Sequence, residues 1–197
     1  TQLHIDPGVG GLTIGNSAFS NCDGIKSITL PVGVVALGQG TFNNIDSLRT
    51  FTFAENSPIT EIPRDCFGMN MSLERMKFPN SVTTIGIGAF YNDPSLKEIE
   101  FGTGLTTIVD DWGIFYQCPL QKIVLPGVNY PFKRDFNFPA DIILYVHPDL
   151  VDEYRSNNFT KNYRIMAIGS TTDFAVTTTA GGQLQSKVAE DLAQFAQ

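Results

Sequence analysis

Histidine is nearly absent from this chain, which has only two among its 197 residues. His4 and His147 lie far apart in the sequence, and neither has an acid or a cysteine at a spacing typical of a catalytic triad or a zinc site. The sequence also lacks a glycine-rich phosphate loop, a dinucleotide fingerprint and a paired-cysteine motif. We therefore expect no catalytic residues, no cofactor and no bound metal, and we predict that the protein is not an enzyme.

Charge and long apolar runs are also scarce. Only 17% of the residues are charged, and 13 basic against 20 acidic residues give a net charge of −7 without a basic cluster, so nucleic acid is not an expected partner. No apolar stretch approaches the roughly 20 residues of a membrane span, so we expect no direct membrane insertion of this segment. There is no initiator methionine and no signal-peptide pattern, which we interpret as a sign of a trimmed part of a longer protein.

The chain has instead a phenylalanine repeat. Phe19, Phe42, Phe67, Phe90 and Phe115 recur at intervals of 23, 25, 23 and 25 residues, and similar apolar positions surround each of them. A single unit of this length cannot bury its apolar face without neighbours stacked on it. The repeat therefore predicts a solenoid.

Each copy ends in two alternating apolar residues, which is typical of a short strand with one buried face. The five pairs are Ile28/Leu30, Phe51/Phe53, Met76/Phe78, Ile99/Phe101 and Ile123/Leu125. Because each copy enters its strand from the same side, we predict parallel strands stacked in coils of about 23 residues. The segment around each phenylalanine is too short for a regular helix, so we expect a turn that points the ring into the core.

Two copies carry a family resemblance most clearly. They read Ile14-Gly15-x-x-Ala18-Phe19-x-x-Cys22-x-x-Ile25-x-x-Ile28-x-Leu30-Pro31 and Ile85-Gly86-x-x-Ala89-Phe90-x-x-x-x-x-Leu96-x-x-Ile99. The pattern resembles the BspA-like leucine-rich repeat of surface proteins from anaerobic oral and gut bacteria and some protozoa, and it covers about residues 3–126. The resemblance implies an α/β-type leucine-rich repeat solenoid with little helix, a C-terminal cap and a helix. It also implies a cell-surface or secreted protein, a lipoprotein anchored to an outer membrane by a segment not present here.

The repeat fades after Pro126, and we divide the chain accordingly. Residues 1–168 are predicted to form the solenoid, with a cap at about 127–168 that contains a strand at 142–146, a helix starting at His147-Pro148-Asp149 and a last strand at 165–168. Residues 169–197 read as a linker and an amphipathic helix. We interpret them as the start of a following domain; the alternative is a helix that folds back on the solenoid.

The cysteines occupy repeat positions that we expect to face the core. Cys22 and Cys118 each lie three residues after a repeat phenylalanine, and Cys66 directly precedes one. Cys22 and Cys66 would be two coils apart, roughly 10 Å, which exceeds the ~7 Å Cα separation that a disulfide tolerates. We predict buried free thiols.

The residues beside the buried strand positions form two outward rows. They are Ser27, Thr50, Arg75, Glu98, Lys122 and Thr29, Thr52, Lys77, Glu100, Val124. Glu98 and Glu100 would be about 6.6 Å apart, a separation that glycosidase carboxylates also have. Because Arg75 and Lys77 should lie on the next strand, ion pairing explains the acids more simply. The predicted partner-binding residues are Thr50, Thr52, Arg75, Lys77, Glu98, Glu100 and Lys122 of these rows, together with Trp112 outside them.

Trp112 is the only tryptophan, and it falls where the fifth copy has two extra residues. It could stack on a sugar or anchor a protein partner, and the adjacent Asp110 and Asp111 could hold calcium. The simpler interpretation, which we favour, is an indole that covers the irregular coil.

These features lead to one principal hypothesis and two alternatives. The principal one is a monomeric, non-enzymatic cell-surface module that binds an extracellular protein or host-matrix partner through the outward rows. The alternatives are a glycan-binding module that uses Trp112 and loop residues, and a structural spacer. A fold by itself does not specify which of these applies.

Overall fold

The predicted parallel β-solenoid is confirmed by the computed structural model, which describes residues 1–6, 8, 10–109, 113–134, 136 and 138–170. The strands are β1 (Gln2–Leu3), β2 (Leu12–Ile14), β3 (Ser27–Leu30), β4 (Val34–Leu37), β5 (Thr50–Phe53), β6 (Glu61–Ile62), β7 (Arg75–Lys77), β8 (Thr84–Ile85), β9 (Glu98–Glu100), β10 (Thr107–Ile108), β11 (Lys122–Leu125), β12 (Ile143–Val146) and β13 (Arg164–Ala167). A 3₁₀ turn (Pro148–Leu150) leads into the helix α1 (Val151–Ser156).

The strands stack on two sides of the solenoid, and every pair is parallel. One side carries β1-β3-β5 and β7-β9-β11-β12-β13, and the other carries β2-β4 and β6-β8-β10. The register matches the repeat, since Leu3 lies opposite Ile28 and Ile28 lies opposite Phe51. Alternation then places one set of side chains in the core and the other outside. We call the outward-facing side chains of β3, β5, β7, β9 and β11 the strand face.

The first side is interrupted between β5 and β7, which belong to different sheets. The coil that joins Phe51 to Met76 is 25 residues long, against 23 for the coils before and after it. A cleft of about 760 Å³ lies at the interruption, lined by Thr52, Lys77 and the loop around Asn56. The repeat pattern alone predicted a continuous sheet here, and the longer coil accounts for the difference.

The repeat phenylalanines form the predicted inward stack, which we call the Phe spine: Phe19, Phe42, Phe67, Phe90 and Phe115. Neighbouring rings are nearly parallel, with centroids 5.6 to 5.9 Å apart. Phe42, Phe67 and Phe90 are completely buried, whereas Phe19 in the first coil is only partly buried. As predicted, the turn around each spine phenylalanine therefore points its ring into the core.

Each of these turns has two residues in the left-handed backbone region, two positions before and two positions after the spine phenylalanine. Their φ angles are +52° to +72° at Ser17, Asn21, Gly40, Asn44, Asp65, Met69, Gly88, Asn92, Gly113 and Gln117. Glycine and asparagine tolerate this region best, which explains their frequency at these places. The same turn geometry recurs in all five copies.

Buried polar side chains join the coils at the third residue after the spine phenylalanine. The Asn70 amide nitrogen donates to the carbonyl oxygens of Phe42 and Phe67, and its oxygen accepts from the Ile45 N–H at 2.9 Å. One coil further, the Asp93 Oδ1 atom accepts from the Asn70 N–H at 2.6 Å. These bonds satisfy backbone groups that the turns leave unpaired inside the core.

The C-terminal part extends the sheet and covers it with aromatic side chains. β12 lies between β11 and β13, in register over four residues on both sides. Tyr154 of α1 is fully buried against the rings of Tyr130 and Phe132. The helix predicted within residues 169–197 falls outside the described residues, apart from Gly169 and Ser170 at its linker. Within the described part, no helix has the length and hydropathy needed to cross a bilayer.

Candidate binding surfaces

The charged residues of the strand face form cross-strand ion pairs, as the sequence predicted. Parallel pairing sets Arg75 opposite Glu98 and Lys77 opposite Glu100. Lys77 Nζ lies 2.7 Å from a Glu100 carboxylate oxygen, and Arg75 Nε lies 3.6 Å from one of Glu98. The two cationic side chains are nevertheless 73% and 74% exposed, so solvent screens both pairs. Such pairs can exchange partners at little cost in stability.

The other predicted contact residues lie on either side of this patch. Lys122 is opposite Glu98 in β11, and its ammonium group is 5.4 Å from the centre of the Tyr145 ring. Thr50 and Thr52 lie on β5, across the cleft from β7. The strand face is thus a polar and charged surface in two sections, separated by the cleft.

The strand-face carboxylates are ion-pair partners. Glu98 and Glu100 are both partly exposed, and each faces a cation on the neighbouring strand, so cross-strand pairing accounts for both acids. Among the described residues, no three histidine, cysteine, aspartate or glutamate side chains are grouped to hold a metal ion. The surface therefore offers charged side chains that can exchange their ion-pair partners. Trp112, with Asp110 and Asp111, lies outside the described residues.

Two of the three thiols are buried. Cys66 is completely buried and Cys118 nearly so, and burial raises the pKa of both thiols. The nearby Asp93 carboxyl raises the Cys118 pKa further, and the Cys118 thiol donates to the Phe90 carbonyl oxygen at 2.9 Å. Cys22 is only half-buried, because the first described coil is less covered than the central ones. The predicted core position is therefore confirmed for Cys66 and Cys118, whereas Cys22 is only partly in the core.

Thiol labelling should distinguish these environments. In native protein a disulfide-exchange reagent should react readily with Cys22 alone, because the attacking species is the thiolate and burial disfavours it at Cys66 and Cys118. Absorbance of the released thiolate should report about one reactive thiol per chain, and three after denaturation. A Cys22→Ser variant should then show almost no fast reaction. Rapid labelling of all three native thiols would contradict this arrangement.

Sequence reasoning missed an exposed pair of aromatic residues. Tyr91 and Tyr116 each follow a spine phenylalanine, and their rings stack with centroids 5.4 Å apart and planes 17° apart. They are 41% and 53% exposed. The sequence feature that could have revealed this pair is the Phe-Tyr dipeptide at the same repeat position in the fourth and fifth copies.

Comparison with known proteins agrees with this architecture. A family model of the BspA type leucine rich repeat region matches residues 12–137 in six copies. A search of curated proteins found no match. Among solved structures, the chain is similar to a leucine rich cell surface protein from Faecalibacterium prausnitzii, with a TM-score of 0.54 and 21% identity over 93% of this chain and 35% of that one. It is also similar to the leucine rich repeat protein of T. pallidum, with a TM-score of 0.60 and 20% identity over 81% of this chain and 79% of that one.

The two structural likenesses concern the fold. Their identities of 20% and 21% carry no residue-level correspondence of binding sites. The chain also spans only about a third of the Faecalibacterium protein, at 35% of its length.

Proposed function

Because the chain belongs to the BspA-type leucine-rich repeat family, we propose that it is a non-enzymatic, cell-surface module that binds an extracellular protein or host-matrix partner through its strand face. Repeat solenoids commonly bind through extended regular surfaces of this kind. The likeness to a bacterial cell surface protein supports an extracellular location. The remaining support comes from the chemistry of the strand face.

The observation that carries the proposal is the exposure of the paired charges. Arg75 and Lys77 have about three quarters of their side-chain surface in solvent although each has an acidic partner. A protein partner with its own acids and bases can exchange with these pairs, and complementary charge chiefly sets the association rate and specificity. Thr50 and Thr52 add exposed hydroxyl groups across the cleft. We therefore expect salt-sensitive binding.

A charge-swapped variant tests this role while retaining the ion pairs. Arg75→Glu, Glu98→Arg, Lys77→Glu and Glu100→Lys together invert the charges of β7 and β9 on the strand face but keep the opposite-charge pairs between these two strands in register. Against a panel of immobilised purified matrix proteins, we expect the native chain to bind at least one, and the variant to bind it about tenfold or more weakly, a loss of about 1.4 kcal/mol. Surface plasmon resonance at two salt concentrations would measure the effect.

A control swap in the cap makes the experiment specific. Glu153→Lys with Lys161→Glu exchanges exposed charges away from the strand face and should leave binding unchanged. Unchanged affinity of the strand-face variant would show that this surface is not used. If the native chain binds none of the matrix proteins, the adhesion proposal fails and the result supports a structural spacer instead.

A further inference from the structure

Both sides of the solenoid are interrupted at the same place. β5 is not hydrogen-bonded to β7, and on the opposite side β4 is not hydrogen-bonded to β6. These four strands belong to the second and third copies of the repeat. At the other interfaces between copies in the described part, both strand pairs are hydrogen-bonded. We call the interface formed by β4 with β6 and by β5 with β7 the seam.

Pro63 explains the break between β4 and β6. In three other copies the residue at its position donates its N–H to a carbonyl oxygen of the preceding copy, at 2.7 to 2.8 Å. These bonds run from Gly38 to Ile14, from Gly86 to Ile62 and from Val109 to Ile85. Proline has no N–H, and its ring needs room. Even a Cβ atom added at Gly86 would lie only 2.9 Å from backbone atoms of the preceding copy. The sequence therefore prevents this ladder bond at the seam.

On the other side, strand edges without a neighbour border the cleft between β5 and β7. The N–H groups of Thr50 and Ala54 bond towards β3, so by alternation those of Phe51 and Phe53 point towards β7. Both phenylalanines line the cleft although their side chains are buried in the core. Their backbone therefore faces the cleft where other strands of the repeat have a paired neighbour.

Hydrogen bonds still cross the seam at the spine turns. The N–H groups of Gly40, Phe42 and Asn44 each donate at 2.9 Å to a carbonyl oxygen of the third copy. The side chains of Asn43 and Asn70 join the same turns. Within the described part of the chain, the hydrogen bonds across the seam are confined to these turns. One edge of the interface is thus bonded, and both strand edges are not.

The core contacts across the seam are apolar and less regular than those beyond it. The rings of Phe53 and Phe78 are 5.6 Å apart with planes inclined at 45°, whereas those of Phe78 and Phe101, one copy further, are nearly parallel at 11°. Apolar contact is non-directional, so these rings can shift slightly and stay covered. Backbone hydrogen bonds weaken steeply when they are misaligned, and they resist such a shift elsewhere in the solenoid.

We propose that the seam is a hinge, at which the first two copies tilt relative to the later ones about the bonded spine turns. The tilt widens or narrows the cleft and changes the angle between the two sections of the strand face. Each coil of a solenoid contacts only its neighbours, so one weak interface concentrates the bending. Domain motions use a few such positions, in regions of low local stability. The hinge does not depend on what the strand face binds.

Distances between spin labels test the hinge. In a Cys22→Ser background, in which the other two thiols are buried, Lys26→Cys with Gln121→Cys places labels at exposed positions beside β3 and β11, four strand spacings apart across the seam. Glu74→Cys with Arg164→Cys is the matched control, because it spans four spacings from β7 to β13 without crossing the seam. Double electron–electron resonance should show a broader distance distribution for the first pair. Equal widths would overturn the proposal.

Pro63→Gly supplies the missing N–H and the room for close approach. It should narrow the distribution of the pair that crosses the seam and leave the control pair unchanged, with melting temperatures confirming that the variant is folded.

Hydrogen exchange gives an independent measurement on the native chain. The N–H of Phe53 should exchange about tenfold or more faster than that of Phe78, which donates to the Glu100 carbonyl oxygen at 2.8 Å. Both side chains are buried, so the comparison isolates the strand pairing. Equal protection would show that the seam is hydrogen-bonded in solution, and the hinge proposal would fail.

Discussion

Replacing Phe67 with alanine is expected to lower the free energy of unfolding by about 3–5 kcal/mol, the usual cost of deleting a buried phenylalanine. Phe67 is fully buried at the centre of the Phe spine. Its ring stacks on Phe42 at 5.7 Å and on Phe90 at 5.9 Å, and it meets Phe51 edge-on at 4.8 Å. In a solenoid each coil contacts only its neighbours, so this cavity would weaken the interfaces on both sides. Since domains are typically stable by about 5–15 kcal/mol, the loss is large.

Urea denaturation followed by circular dichroism would measure the effect, with Phe19→Ala as the matched control. Phe19 stacks on Phe42 but is only partly buried, so its truncation should cost clearly less than that of Phe67. Equal costs at the two positions would contradict a spine whose energy depends on coverage from both sides. A change in the slope of the transition would indicate that the coils no longer unfold together.

Replacing Asp93 with asparagine is expected to stabilise the protein at neutral pH by about 1–3 kcal/mol, the cost of a buried polar group without a partner. Asp93 is fully buried, and its Oδ2 atom has no hydrogen-bond partner. At the equivalent place one coil earlier, the Asn70 amide donates to two carbonyl oxygens. An asparagine at 93 could donate in the same way to the carbonyl oxygens of Phe67 and Phe90, whereas the aspartic acid has at most one O–H to donate and at neutral pH must take up a proton from solvent to have it.

The same residue predicts a pH dependence. Burial raises the pKa of the Asp93 carboxyl well above its ordinary 3.8, and the bond from the Asn70 N–H only partly opposes this. The folded state therefore retains the proton at pH values where the unfolded chain has lost it. The contribution of Asp93 to stability is complete below about pH 4 and is lost as the pH rises towards the folded-state pKa. The neighbouring Cys118 thiol is neutral throughout this range, because its own pKa is raised.

Denaturation from pH 4 to pH 8 would test both effects. The difference in unfolding free energy between Asp93→Asn and native protein should increase with pH, because asparagine does not titrate. Asp46→Asn provides the control: Asp46 is exposed, so its substitution should change the unfolding free energy less than Asp93→Asn does. A constant difference between Asp93→Asn and native protein would show that Asp93 ionises alike in the folded and unfolded states.

The sequence predicted the parts of the fold that repeat. The apolar pairs of each copy, such as Ile28 and Leu30, are buried on parallel strands, and the spine rings stack inside. It also predicted the pairing of Arg75 and Lys77 with the acids of the next strand. These features follow from a fixed register, and a register can be read directly from residue spacing.

The features that escaped prediction depend on departures from the average coil. The interruption between β5 and β7 reflects two extra residues in one coil, and their effect on hydrogen bonding cannot be read from apolar periodicity. Cys22 is less buried than Cys118 at the same repeat position, because burial depends on neighbours as well as on position. To predict the tyrosine stack, one would need to know the direction in which the residue after each spine phenylalanine points, and apolar spacing does not give this direction.

The paired left-handed residues around each spine phenylalanine divide the coil into parts of constant and variable length. The five residues from one left-handed position to the other are uninterrupted in every copy. The extra residues lie elsewhere, between Phe51 and Ile62 in one coil and between Ile108 and Phe115 in another. The chain thus accepts extra residues outside these turns, while the spine rings on either side remain stacked. Foreign loops grafted at residues 54–57 would be displayed beside the strand face, which makes this coil a natural site for building new recognition surfaces.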